Sequence, residues 1–287
     1  MRKEKINVLS LFDGMSCGQI ALNKVGIEYE NYFASEIEPA SIKVTQANYP
    51  NTKQLGSVLN VKGVDLPKID LLIGGSPCQS FSNAGNNKGF DGKSGLFYEY
   101  VRLLKECNPK FFLLENVKMK KEWQNIISKE LEVEPILINS NLVSAQNRER
   151  LYWTNIPIVP LNDKGIFIED VLDKNFNEKY WLKERNTELL LKKVSINNAP
   201  DIACIDVYNK KVKTDRKCPT LTLPHHNSIR LLQNGRIRKL TPNECEKLQT
   251  IPIDYTNCDL SDIHRYSMLG NGWTVDVIAH IFSNLLK

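Results

Sequence analysis

The chain has 287 residues, ordinary apolar and charged fractions and a net charge of +5, enough for one large core and a smaller module. No stretch reaches the ~18 apolar residues of a membrane span, and Met1-Arg-Lys-Glu-Lys leads straight into a strand instead of a signal-peptide core, so a cytoplasmic protein without a membrane anchor is expected. Seven cysteines with no Cys-x-x-Cys pair make a disulfide framework or a zinc site unattractive, suit a reducing compartment and leave a reactive thiol allowed.

Residues 6–12 are apolar and β-branched, which predicts a strand, and Asp13-Gly-Met-Ser-Cys-Gly breaks it before a helical run over 19–25. Strand, glycine-bearing turn and helix begin a nucleotide-binding α/β fold, although the spacing is not G-x-G-x-x-G. A second short strand at 32–35 ends at Glu36, and Pro39 is placed to open the next helix. An acid there hydrogen-bonds a ribose in doubly wound folds; the plainer alternative is a helix-start carboxylate.

Residues 69–73 form a short apolar run ended by Gly74 and Gly75, the pattern of a strand covered on both faces. It runs into Ser-Pro-Cys78, and a thiol at the carboxyl end of a parallel strand faces a crevice where a lowered pKa would make it a nucleophile. A packed structural thiol is the alternative, which the polar, turn-rich flanks argue against. A helix is expected from Gly95 through Lys105, then a strand at 111–114 ending in Glu115-Asn-Val. Glu115 thus stands at the same sheet edge as Cys78, partly desolvated; capping the next helix is its structural alternative. After a helix at 126–131 and a strand at 136–138, Gln146-Asn-Arg-Glu-Arg enters a further strand, where Arg148 and Arg150 alternate and would share a face.

From 155 to 233 the βα rhythm fails, and prolines punctuate short β-rich runs at 202–207, 220–223 and 229–232. The segment from Lys174 to Arg238 carries a balance of +8, which leaves −3 for the rest of the chain. That asymmetry suits a polyanion-binding face. Lys210, Lys211 and Lys213 flank Val212 in an extended run, and Thr220, Thr222, His225 and Asn227 offer groups able to bond base edges. Thr241-Pro-Asn-Glu244 is a capping box, Leu269-Gly-Asn-Gly-Trp273 a turn, and apolar residues from Val275 recur at helical spacing.

Taken in order, these motifs resemble those of the DNA cytosine-5 methyltransferases, over residues 6–156 and 236–284. Phe12, Asp13, Gly14 and Gly18 resemble the cofactor loop and Glu36, with Ile37, the ribose-binding position; Ser57, Val58, Pro77, Leu96, Asn271 and Val275 fall at further cofactor positions. Cys78 matches the nucleophile, Glu115 the proton-handling acid, and Arg148 and Arg150 the base-contacting pair, while Gln79, Ser82 and Arg238 fall at DNA-side positions. The Leu-Ser-Leu-Phe-Asp-Gly and Gly-Gly-Ser-Pro-Cys runs look closer to the vertebrate de novo enzymes. Ser10 and Ser57 stand where many members have acids, and Gly272-Trp273 departs from the frequent Ser-Val.

The resemblance implies an α/β, Rossmann-like doubly wound sheet of the class I S-adenosylmethionine-dependent methyltransferase fold, with a small irregular or β-rich target-recognition domain. It implies a catalytic and cofactor-binding domain at 1–155, target recognition at 156–235 and a return segment at 236–287. The implied activity is methyl transfer from S-adenosyl-L-methionine to carbon 5 of a flipped-out cytosine through a covalent Cys78 adduct. Double-stranded DNA is the implied partner of a monomer that needs no metal, in the setting of restriction-modification. A transfer-RNA cytosine-5 methyltransferase is the alternative within the same chemistry, but its Cys-Phe-Thr signature is absent here. A catalytically inactive DNA-binding relic is the other alternative, and the presence of Cys78 and Glu115 argues against it.

Overall fold

The computed structural model of the protein describes residues 5–77, 93–222 and 229–285. In chain order it places β1 (Ile6–Leu11), α1 (Cys17–Lys24), β2 (Tyr29–Ser35), α2 (Pro39–Asn48), β3 (Lys53–Gln54), β4 (Leu71–Gly74), α3 (Phe97–Cys107), β5 (Phe111–Val117), α4 (Lys121–Leu131), β6 (Ile136–Asn139) and β7 (Glu149–Thr154). There follow α5 (Glu184–Leu191), β8 (Ile202–Asp206), β9 (Lys211–Val212), β10 (Ile229–Gln233), β11 (Arg236–Arg238), α6 (Pro242–Leu248), α7 (Asp262–Asn271) and α8 (Val275–Phe282). Two compact units emerge, one from Met1–Ile138, Glu149–Pro160 and Val277–Lys287, the other from Asn139–Arg148 and Leu161–Asp276.

The seven-stranded sheet has the order β3-β2-β1-β4-β5-β7-β6. β1 pairs in parallel with β2 and β4, and β4 with β5. Because β1 has β2 on one side and β4 on the other, the strand order reverses beside it, and the crevice outside the carboxyl ends at such a reversal is where open α/β sheets bind ligands. Strand composition explains the burial: Val8, Leu9, Leu11, Leu71, Leu72, Ile73, Leu113 and Leu114 have no exposed surface, as central strands covered on both faces require. α3 turns Phe97, Tyr100 and Leu103 inward and ends at Asn108, whose φ of 40° is the left-handed stop of a helix. Gly74 is needed where it stands, because a Cβ there would come within 3.0 Å of the Leu11 carbonyl and 3.1 Å of the Tyr100 ring. The sheet is mixed, since β7 runs antiparallel to β5.

The second unit carries a four-stranded antiparallel sheet of order β11-β10-β8-β9, and Leu190, Val194, Ile205, Leu232 and Ile237 form its small core. The β-rich reading of 202–207 and 229–232 corresponds to β8 and β10, but residues 220–222 form no strand. α5 and α7 were not expected from the sequence: α5 is short, and Gly270 near the end of α7 reads as a turn residue because glycine is a poor helix former.

Arg238, expected from the resemblance to contact DNA, is instead fully buried. Its guanidinium donates to both oxygens of Glu244 at 2.7 and 2.8 Å and to Gln233 Oε1 at 2.8 Å. Glu244 is also the N3 acid of the α6 capping box, accepting from Thr241 N, and it accepts from Asp173 N. The arginine is therefore spent on holding β11 to α6. Arg238→Leu should lower unfolding free energy by about 3–5 kcal/mol, because it strands a buried carboxylate; urea unfolding monitored by circular dichroism measures it.

Candidate active site

β5 ends in Glu115-Asn116-Val117, and β7 pairs with it so that Glu115 lies opposite Tyr152 and Val117 opposite Arg150. Arg150 is thus two residues from the partner of Glu115, on the same face of the pleat. The two side chains meet at 3.0 Å, Arg150 Nε to Glu115 Oε1, and both are largely withdrawn from solvent. Next along β5, Asn116 donates from Nδ2 to the Ser76 hydroxyl at 3.1 Å and to the Ser76 carbonyl at 3.4 Å. Ser76 is buried and stands two residues before Cys78, so β5 grips the stem of the segment that carries the thiol. Cys78 itself, with Gln79, Ser82, His225 and Asn227, lies outside the described residues.

Arg148 does not share the surroundings of Arg150. It precedes β7, so strand alternation does not reach it, and it is buried in the second unit. Its guanidinium donates to the carbonyls of Leu221, Gly270 and Gly272 at 2.8–3.1 Å. A cation at the carbonyl end of α7 satisfies groups that a helix terminus leaves open, so its place is structural. The Gln249 amide donates to the Leu269 and Gly272 carbonyls and accepts from Gln146 and Thr274, which fixes the same turn. Asn271 is exposed at the end of α7, and Val275 is fully buried.

The lysine run also departs from a simple strand. Lys210 has a φ of 53° and sits in the turn before β9, exposed like Lys211, whereas Lys213 is half-buried and meets Asp215 at 3.4 Å. Thr220 donates its hydroxyl to the Asn147 carbonyl, and Thr222 is exposed. Among the described residues, no helix is long and apolar enough to cross a membrane and no cluster of His, Cys, Asp and Glu could hold a metal ion.

The loop after β1 gathers most of the other sequence candidates. Phe12 and Gly14 both have a φ of 58°, and Ser16 a φ of 65°, so the chain reverses through left-handed positions that cost a non-glycine residue about 1–2 kcal/mol. The loop is fastened to β2: Asp13 N donates to the Ser35 carbonyl, and Gly14 N to Glu36 Oε2 at 2.7 Å. The other Glu36 oxygen accepts from the N–H groups of Ile37 and Glu38. Gly18 is required by packing, since a Cβ would meet Ile73 Cδ1 at 2.4 Å and Tyr32 Oη at 2.6 Å. Ser57 accepts from Leu59 N and starts a short 3-10 turn, Val58 is buried in the core, and Phe12 and Leu96 pack against it. Pro77 is half-buried at the end of the described stem, and Ile37 is exposed.

Tyr32 was not singled out by sequence, yet its buried hydroxyl donates to Asp13 Oδ1 at 2.9 Å. Asp13 Oδ2 is buried without a hydrogen-bond partner. Burial pushes the Asp13 carboxyl up to about 6, against the opposing effect of the hydroxyls of Ser10, Ser16 and Tyr32, and the nearby Glu36 adds to the rise. A carboxyl raised in the folded state binds its proton more tightly there than in the unfolded chain. Its adverse contribution is therefore absent at low pH and grows as pH rises from the unfolded value of 3.8 through about 6. Asp13→Asn should accordingly stabilise the protein at pH 8, by about 3 kcal/mol at most, and the gain should vanish towards pH 4; thermal unfolding of both proteins across that range tests it.

A model of the C-5 cytosine-specific DNA methylase family matches residues 6–218 and 169–287. Type II methyltransferase M.Bsp6I of Bacillus sp. (strain RFL6) is 30% identical, with 98% of this chain and 99% of the relative covered. Orphan methyltransferase M.SPRI of Bacillus phage SPR is 34% identical over 67% of this chain, which spans only 55% of that relative's length. Among solved structures, Entamoeba histolytica methyltransferase EhMeth superposes with a TM-score of 0.73 at 21% identity, covering 99% of this chain and 98% of that one. S. pombe Dnmt2 methyltransferase gives 0.70 at 18% identity, covering 98% of each. Those structures show the class I methyltransferase fold, whose C-5 DNA enzymes use S-adenosylmethionine as methyl donor. With its sheet, its strand-end acids and a family match from residue 6 to residue 287, the chain belongs to the C-5 cytosine-specific DNA methylase family.

Proposed function

We propose that this chain methylates carbon 5 of cytosine in double-stranded DNA, with Cys78 as nucleophile and Glu115 as the proton-handling acid. The observation that carries this reading is the Glu115–Arg150 pair on β5 and β7 beside the Asn116–Ser76 grip on the Cys78 stem. Carbon 5 of cytosine is a poor nucleophile. The Cys78 thiolate adds to carbon 6, forming a sulfur–carbon bond while the 5,6 double bond opens, and Glu115 holds a proton at ring nitrogen 3. Arg150 keeps the Glu115 carboxylate aimed and has further guanidinium donors for the 2-oxo group. Carbon 5 takes the methyl group, a base then removes the carbon 5 proton, and the sulfur–carbon bond breaks to restore the ring and the thiolate.

When bound, S-adenosylmethionine supplies the electrophilic methyl group. The residues of the first unit fit it: Glu36 Oε2 keeps one lone pair beyond its bond from Gly14 N, able to accept from a ribose hydroxyl, and Phe12, Asp13 and Gly14 form the loop at the strand-order reversal. In the second unit, exposed Lys210, Lys211 and Thr222 are the candidates for phosphate and base contacts. We extend the reading to a monomer, since one chain carries both reacting groups, and to the cytoplasm, where an odd set of seven cysteines without a Cys-x-x-Cys pair is at home.

DNA containing 5-fluorocytosine should form a covalent adduct with the wild type and none with Cys78→Ser, because fluorine at carbon 5 blocks proton removal and a hydroxyl has almost no anion at neutral pH. Transfer RNA offered in parallel separates the two acceptor classes, and an adduct with Cys78→Ser removes the thiol from the mechanism. Glu115→Gln should lower single-turnover methylation about 100-fold or more while S-adenosylmethionine affinity, measured calorimetrically, stays within twofold or so; poor cofactor binding with a normal rate would move Glu115 to the cofactor site.

A further inference from the structure

Among the described residues, Asp13 differs from Glu36 and Glu115 in having no positively charged or backbone group to balance it. Glu36 is met by three backbone N–H groups and Glu115 by Arg150. The groups facing the Asp13 carboxyl are Ser10 from β1, Ser16 at the start of α1, Tyr32 from β2 and Glu36 just beyond β2, the last of them a like charge. Tyr32 stays a neutral O–H donor, because burial first and Asp13 second raise its hydroxyl well above the ordinary phenol range. Among the described residues no lysine or arginine acts on this carboxyl.

We propose that Asp13 is the residue by which the loop after β1 distinguishes the positively charged sulfonium of S-adenosylmethionine from the neutral thioether of its product, S-adenosylhomocysteine. The inference rests on the reading of residues 12–18 as the cofactor loop. The two molecules differ only in the transferred methyl group and the positive charge it gives the sulfur, and a site that senses the charge separates them by electrostatics rather than by size. A lone carboxylate in low-dielectric surroundings does so over several ångströms without touching the sulfur, since charges buried together are weakly screened. A cation nearby favours the ionised carboxylate, and its loss favours the neutral acid. Binding the methyl donor near pH 6 should therefore release a proton from Asp13 to the buffer, and the carboxyl should take a proton back once transfer has removed the charge on sulfur. Tyr32 holds the carboxyl in place and favours its ionised form through the hydroxyl bond at 2.9 Å.

Calorimetric titration of each ligand into the wild type at pH 6, in two buffers of unequal ionisation enthalpy, reads the protons exchanged. S-adenosylmethionine should release more than S-adenosylhomocysteine, and the ratio of their affinities should shift towards the donor by up to about tenfold from pH 5 to pH 7.5, the value of one unit of carboxyl shift. Asp13→Asn should abolish both differences. Tyr32→Phe removes a hydrogen bond that favours the ionised carboxyl, so it should move the midpoint of the affinity ratio to higher pH; a purely structural loss would weaken both ligands equally and leave the midpoint unmoved. Equal proton release by the two ligands, or a difference that survives Asp13→Asn, would overturn the proposal while leaving the cofactor loop in place. If Asp13→Asn and Gly14→Val both bound the two ligands as the wild type does, the reading of the loop would fail, and the proposal with it.

Discussion

The antiparallel pairing of β7 with β5 is the constraint on which the polar geometry at the end of β5 depends. Register alone brings Arg150 to Glu115, because Arg150 is two residues from the partner of Glu115 and side chains two apart share a face. A slip of one residue would carry the guanidinium to the other side of the sheet and leave a nearly buried carboxylate without its counter-charge. The register is secured on both faces by apolar burial: Leu113 and Leu114 on β5 and Leu151 and Trp153 on β7 are in the interior, and the Trp153 indole N–H is satisfied by the Ser128 hydroxyl. Hydrophobic packing of the strands thus fixes a polar geometry that the polar groups could not hold against solvent by themselves.

The same economy appears one residue further on. Asn116 alternates away from Glu115 along β5, so its amide reaches the neighbouring segment after β4 and takes the Ser76 hydroxyl and carbonyl. Consecutive residues of one strand therefore serve two strand ends, one handling charge and the other anchoring backbone. In the second unit, Arg148 and Gln249 do a comparable task for the carbonyls at 269–272. Two arginines two residues apart in sequence have separate employments, because the strand begins between them at Glu149.

What the sequence makes legible here is whatever depends on apolar runs and their ends. The strands read at 6–12, 69–73 and 111–114 and found at 6–11, 71–74 and 111–117, the acids Glu36 and Glu115 at or after such runs, and the capping box at Thr241 all follow from local pattern. Partners cannot, since they depend on which strand lies beside which. Tyr32 reaches Asp13 only because β2 pairs with β1 in a register that sets Val8 beside Tyr32. Arg238 falls at a DNA-side position by resemblance, and nothing in the nearby sequence except Glu244 at a spacing of six hints that the two bury each other. Gly18 reads as a ligand-facing glycine, yet the space it leaves is filled by Ile73 and the Tyr32 hydroxyl.

Three carboxylates stand at strand ends of the first unit, and what separates them is the company that the fold gives each. Backbone N–H groups orient Glu36 and leave Oε2 able to accept one more bond. A guanidinium on Glu115 fixes its direction and couples it to the strand that also presents Arg150. Among the described residues Asp13 receives a Tyr32 hydroxyl and no cation, so burial dominates and lifts its carboxyl to about 6. On the proposed reading, acids of one chemical type serve as a binding group, a proton handler and a charge sensor through differences of partner. Those differences follow from the order β2-β1-β4-β5-β7, which decides what each strand end can reach.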